Sequence, residues 1–283
     1  MNAAVALLLL APIGSQAGAQ AGSQAPAAPG AMADGSGDFR LTPAANPAIT
    51  VFFHRPAGAG RDARVVIALH GLLRQGAAVR EAWRTLAEQH GFIVVVPQFD
   101  ATGYRGSLNY NTGRVMVDGQ ATPPASWSFA VIEEVFDAVR ARWDLTAATY
   151  GLFGHSAGGQ FVHRFALLMP TARADRLVAA NAGWYTLPTA EARYPWGLQG
   201  QAAFQGDERG DERSALCRAF ARPLLLLIGE RDDDPAHEQL NRSPQAMAQG
   251  ANRVARADHF FAVAQQRAAA LGCPLSWTLQ RVP

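Results

Sequence analysis

Ser156 sits in Gly154-His155-Ser156-Ala157-Gly158, directly after the apolar stretch Ala148-Thr149-Tyr150-Gly151-Leu152-Phe153. A helical run follows, from Ala157 to about Met169. A strand that turns sharply into a helix at a serine lifts the hydroxyl to the crest of a sheet. It also sets the next backbone N–H at a helix N-terminus, where developing negative charge is stabilised. Small residues around the turn are needed because larger ones would strike the strand and helix being joined. The chemistry this allows is nucleophilic attack by a serine oxygen.

A serine hydroxyl is a poor nucleophile until a base takes its proton. A base, an acid that orients it and an oxyanion hole are therefore required. His70-Gly71-Leu72 follows the apolar run 65–69, and glycine there lets the loop approach the serine. The N–H of Leu72, with Leu73 as the rival, is expected to face the oxyanion together with that of Ala157. His70 itself reads as a structural hydrogen-bonding residue. Asp232, in Gly229-Glu230-Arg231-Asp232, follows the apolar run 224–228. It is the expected orienting carboxylate, in the chain order serine, acid, histidine. Asp233 and Asp234 are rivals, and three consecutive acids also fit a solvated loop or a cation site.

The base is harder to place. His259, in Asp258-His259-Phe260-Phe261, falls in a helical pattern before the last strand and is a weak fallback. His237 follows the acidic loop. His155 is fixed in the elbow, and His163 is about two turns down the next helix. His54 and His90 lie at the far ends of their elements.

The elements that must position these residues alternate between two periods. Runs 49–55, 64–69, 92–97, 147–153, 177–180, 224–228 and 277–282 read as strands, several continuously apolar as in strands buried on both faces. Helical spacing occupies 77–90, 129–143, 157–169, 214–221 and 252–271, with Gly91 as a left-handed helix stop. Two long segments, 98–126 and 181–211, lack periodicity. Strand–helix alternation predicts an α/β fold with a mostly parallel sheet covered on both faces.

With His70-Gly71, Gly154-His155-Ser156-Ala157-Gly158 and Gly229-Glu230-Arg231-Asp232 in that order, the sequence resembles the α/β-hydrolase superfamily from about Phe39 to the end. His70-Gly71-Leu72-Leu73-Arg74 and Asn181-Ala182-Gly183-Trp184-Tyr185 are similar, more narrowly, to exported bacterial esterase-like hydrolases related to polyhydroxyalkanoate depolymerases and feruloyl esterases. The resemblance implies a serine hydrolase cleaving carboxylic esters through an acyl-enzyme at Ser156, without a cofactor. In that superfamily the catalytic histidine lies in a loop after the last strand, with a helix beyond it. Here the last strand runs to Val282 and Pro283 closes the sequence, so the expectation is a fragment whose base lies past Pro283 and whose C-terminal helix is missing. Two other readings stay open: a non-catalytic or vestigial ligand-binding member of the fold, and an acyltransferase.

The two irregular segments are expected above the C-terminal edge of the sheet, where α/β folds bind ligands. Tyr110 and Trp127 in or beside the first, and Trp184 and Tyr185 in the second, are candidate substrate walls, with Tyr104, Phe129, Tyr194, Trp196 and Phe204 nearby. The competing reading is that these rings pin the loops themselves. Arg74 is expected to close a loop by a salt bridge rather than greet a substrate carboxylate.

Composition bounds the rest. With 49% hydrophobic and 17% charged residues over 283 positions, the chain is globular, long enough for one large α/β domain. A net charge of +2 gives no footprint for nucleic acid. All 25 basic residues are arginine, which excludes a lysine Schiff base and a Ser-Lys dyad. No phosphate loop, metal signature or dinucleotide fingerprint is present. Cys217 and Cys273 each precede a strand-like run; a disulfide and two separate thiols are both open. Ala3 to Leu10 is an apolar run too short to span a bilayer, followed by Ala17-Gly18-Ala19, a small-residue cleavage pattern. The expected layout is a signal peptide at 1–19, a flexible linker at 20–38 and a hydrolase domain at 39–283, secreted or periplasmic. The expected partner is a small-molecule ester or a polyester.

Overall fold

The computed structural model describes residues 34–201 and 211–283. The expected signal peptide, most of the linker and Phe204 lie outside the described residues.

Continuous runs of branched and apolar residues form the centre of an eight-stranded sheet in the order β1-β2-β4-β3-β7-β8-β9-β10. β3 (Val65–Leu69) is buried at every position, and β4 (Ile93–Gln98) at all but the last. β7 (Tyr150–His155), β8 (Ala174–Ala180), β9 (Leu224–Gly229) and β10 (Thr278–Val282) continue the parallel set. β2 (Ile49–Arg55) runs antiparallel to β4, and β1 (Gly35–Leu41) antiparallel to β2. A small hairpin, β5 (Met116–Val117) with β6 (Gln120–Ala121), lies in the first irregular segment. The architecture is the α/β sandwich expected from the alternation of periods.

The linker boundary needs correction. Gly35–Asp38 are not linker but half of β1, which pairs in register with 52–55 of β2. The strand alternates exposed and half-buried positions. Its Gly, Ser and Asp residues therefore look like linker composition in the sequence.

Helices cover both faces. α1 (Gly76–His90) packs on β2, β3 and β4 through Trp83, Leu86 and Ala87. Gly91 ends it at φ 68°, its N–H returning to Ala87 O at 2.8 Å. α2 (Ala130–Trp143) buries Val131, Ile132, Val135, Phe136 and Val139 on the other face. α3 (Ala157–Leu168) is buried along its whole length against β7 and β8. α4 (Glu212–Phe220), the short α5 (Pro244–Gln249) and α6 (Arg253–Leu271) complete that face. A disulfide joins Cys217 of α4 to Cys273, just after α6. Of the two sequence alternatives for the cysteines, the bonded one is found.

Candidate active site

The elbow forms because three glycines admit it. Ser156 takes φ 56°, ψ −114° between β7 and α3, a conformation that costs a non-glycine residue energy. A Cβ on Gly154 would lie 2.2 Å from Gly158 O. One on Gly158 would lie 2.6 Å from Leu69 O, and one on Gly159 2.5 Å from Ala180 O. The Ser156 N–H bonds Ala180 O at 2.9 Å, pinning the turn to the end of β8.

The loop after β3 lies against this turn. A Cβ on Gly71 would stand 3.8 Å from the Ser156 Cβ. The N–H groups of Leu72 and Ala157 have no hydrogen-bond partner among the described residues. Leu72 and Leu73 are 56% and 73% exposed. His70 is buried, its Nδ1 donating to Gly71 O and its Nε2 accepting the Phe99 N–H, both at 3.0 Å. Burial lowers its pKa to about 4, so the ring is neutral and serves the loop. Arg74 closes the same loop, but not by the expected salt bridge. Its guanidinium donates to the carbonyls of Phe99 and Gly106 and lies 4.3 Å over the Tyr110 ring.

Asp232 follows β9, its N–H bonded to Gly229 O at 3.1 Å. Its two oxygens are held from separate elements. Asn181, in the left-handed region at φ 46° just past β8, donates Nδ2 to Oδ2 at 2.7 Å. Arg253, first residue of α6, donates Nη1 to Oδ1 at 2.6 Å. Asn252, the α6 N-cap, donates to Asp233 O and braces the loop further. Asp232 is a candidate from the sequence; neither brace is. Asn181 was legible only as part of a similarity, and Arg253 as a helix start.

Ser156 opens into a cavity of about 330 Å³ lined by Gly71, Leu72, Leu73, Ala78, Val79 and Ala82, with His70, Arg74, Gln75, His155 and Gln239 supplying the polar edge. His155 therefore shares the cavity with the serine. Desolvation lowers its pKa, an effect that the nearby Asp232 charge opposes. No histidine ring hydrogen-bonds Ser156 Oγ among the described residues. His259 is exposed on α6, nearly two turns past Arg253. His237 stays in the acidic loop, 3.4 Å from Arg253 Nη2. His163 is fully buried, spanning Gly159 O and the Thr186 N–H, and burial holds its pKa well below the usual imidazole value. His54, on β2, binds Ser36 of β1 and Glu88 of α1.

The four expected substrate walls do not line that cavity; they are buried loop anchors. Tyr110 is fully buried and donates its O–H to His70 O at 2.7 Å. Trp127 donates Nε1–H to Thr122 O at 3.0 Å. Trp184 packs at 4.2 Å on Trp196, with the Arg164 guanidinium 4.1 Å over it. Tyr185 stacks on Phe260 at 4.6 Å. Each ring satisfies its polar end or its face inside the protein.

A mostly parallel sheet, a strained serine between strand and helix, and a glycine loop beside it define an esterase-like α/β-hydrolase. The sequence profile of the Esterase family matches residues 42–267. The chain belongs to this family, and is a carboxylic ester hydrolase. It is similar to poly(aspartic acid) hydrolase-1 from Sphingomonas sp. KT-1, at 38% identity over 89% of this chain and 93% of that one, TM-score 0.84. It is also similar to a poly(3-hydroxybutyrate) depolymerase from Bordetella parapertussis, at 37% identity over 89% and 84% of the two chains, TM-score 0.81. An S-formylglutathione hydrolase from Agrobacterium tumefaciens shares the fold at 19% identity over 88% of each chain, TM-score 0.55. A comparison with curated protein sequences gives no match.

Proposed function

We propose that the protein hydrolyses neutral, apolar esters through an acyl-enzyme on Ser156. The observation that carries this is the serine at φ 56° between β7 and α3, with the Leu72 and Ala157 N–H groups unspent beside it. The Ser156 oxygen bonds to the ester carbonyl carbon as its proton passes to an imidazole. The oxyanion is held by the amides of Leu72 and Ala157. The C–O bond then breaks, the imidazolium protonates the departing alcohol, and water repeats the sequence to free the acid. Asp232, fixed by Asn181 and Arg253, orients that imidazole.

The cavity favours an uncharged substrate. Its walls are Leu72, Leu73, Ala78, Val79 and Ala82, and its one arginine is engaged by two carbonyls and a ring. An arginine so occupied offers little to a polycarboxylate. Of the two relatives' polymers, the polyester therefore fits this site better than the poly(aspartic acid). An exported, secreted or periplasmic protein is the matching location, since such polymers do not cross a membrane. No helix among the described residues is long and apolar enough to span one.

The test is steady-state hydrolysis of p-nitrophenyl butyrate by the full natural chain and by Ser156→Ala. Loss of about 10³-fold or more in kcat is expected. Equal rates would refute the assignment.

A further inference from the structure

Arg253 opens α6, and its charge has the wrong sign for that place. A cation in the first turn opposes the helix dipole, and no acidic residue in that turn offsets it. What holds it is Asp232, whose Oδ1 meets Arg253 Nη1 at 2.6 Å, the two side chains being 21% and 11% exposed. Among the described residues Asp232 is its one acidic partner. Salt and water screen so covered a pair weakly. Asn181 takes Oδ2, yet a carboxylate has about four lone-pair sites, so room remains for an imidazole N–H.

The groups around the pair leave its charges to each other. From β7, His155 faces both: desolvation lowers its pKa, Asp232 raises it and Arg253 lowers it. His237 stands 3.4 Å from Arg253 Nη2, its Nδ1 accepting the Gln239 N–H. Tyr185, from the loop after β8, is kept protonated by burial, with the Asp232 charge adding to the effect. Arg256, one turn along α6, is spent on the carbonyls of Gly250, Gly183 and Asn241. Glu230, Arg231, Asp233 and Asp234 of the acidic loop are exposed to water.

In acyl transfer the orienting acid stabilises the imidazolium that forms. A carboxylate already paired with a guanidinium does so less, because the guanidinium repels the same cation. We propose that Arg253 is a positioning residue whose charge, acting through Asp232, keeps the catalytic imidazole weakly basic, so that hydrolysis persists into mildly acidic media. This rests on the reading of Asp232 as the orienting acid.

The test is the pH profile of kcat/KM for p-nitrophenyl butyrate, whose acid limb reports the base of the free enzyme. The full natural chain is compared with Arg253→Gln, which keeps a donor without the charge, and Arg253→Lys, which keeps the charge. The limb is expected to rise by about one pH unit in the glutamine variant and to stay near the wild type in the lysine variant. An unmoved limb in Arg253→Gln, whatever happens to the plateau, overturns the proposal, as does an equal shift in both variants. If Arg253→Gln does not fold, the wild-type limb decides: below the ordinary imidazole value of about 6.5 supports the role, and above it overturns it. Ser156→Ala and Asp232→Asn run alongside. Undiminished hydrolysis in either overturns the underlying reading and the proposal with it, whereas loss in both with an unmoved Arg253→Gln limb overturns the proposal alone.

Discussion

Holding a serine at φ 56° costs on the order of 1–3 kcal/mol, which only a demand on its oxygen would justify. Replacing Ser156 by glycine relieves that strain, less the backbone freedom glycine gains on unfolding. Ser156→Gly is therefore expected to melt above Ser156→Ala, by about 1 kcal/mol in a denaturant titration, while both are inactive. Asp232→Asn is expected to lower kcat by about 10⁴-fold, as loss of the orienting acid does in serine hydrolases, and to lower Tm as well, because its amide NH2 faces a donor and Arg253 loses its counter-charge. A loss below tenfold would pass the role to Asp233 or Asp234. His70 supplies a pH signature. Its folded pKa is about 4 against an ordinary 6.5, so the unfolded chain takes up the proton first as pH falls. Its share of the stability is complete above about pH 6.5 and is lost toward pH 4, up to about 3 kcal/mol. Urea midpoints at pH 7 and 4.5 should differ less in His70→Gln than in the wild type; an equal drop would remove His70 as the cause. At this scale the sequence was informative where geometry restricts residue type, as at Gly154, Ser156 and Gly158. It was uninformative for Tyr110, Trp127, Trp184 and Tyr185. An aromatic ring suits a binding wall and a loop anchor equally, and only its hydrogen-bond partner separates the two.

Elements were legible in proportion to their burial. β3 and β9 are almost unbroken apolar runs, and α1 and α2 carry their buried residues on one stripe. β1 escaped because an edge strand with one half-buried face keeps Gly, Ser and Asp, the residues of a linker. α5 has six residues, too few for a periodic signal. The bond between Cys217 and Cys273 was undecidable from spacing, since nothing in the sequence sets their 5.1 Å Cα separation. That bond closes a 56-residue interval and ties α4 to the approach to β10. Loop-closure entropy gives it about 4 kcal/mol. Thermal melts with and without dithiothreitol should differ by several degrees, and Cys217→Ala with Cys273→Ala should melt with the reduced protein. Coincident oxidised and reduced melts would deny it a stabilising role.

For the molecule as a whole, the parallel sheet gathers the ends of β3, β7 and β9 on one edge, and with them Leu72, Ser156 and Asp232. Alternating periods foretold that convergence, because strands joined through helices run parallel and so end on the same edge of the sheet. They did not foretell Asn181 or Arg253, which reach the Asp232 carboxylate only once the fold brings the ends of β8 and β9 to the start of α6. At this scale the apolar cavity predicts a substrate preference: hydroxybutyrate oligomers should be cleaved, and poly(aspartic acid) left intact, under identical conditions. Faster release from the polyanion would overturn the reading of Arg74 as an engaged loop residue. The central claim is tested most directly by trapping the intermediate. The full natural chain is mixed with p-nitrophenyl butyrate, quenched in acid during turnover and mapped by peptide mass spectrometry. A butyryl increment on the peptide containing Ser156, absent from Ser156→Ala, is the predicted result; turnover with no such increment and no loss in the variant would contradict it.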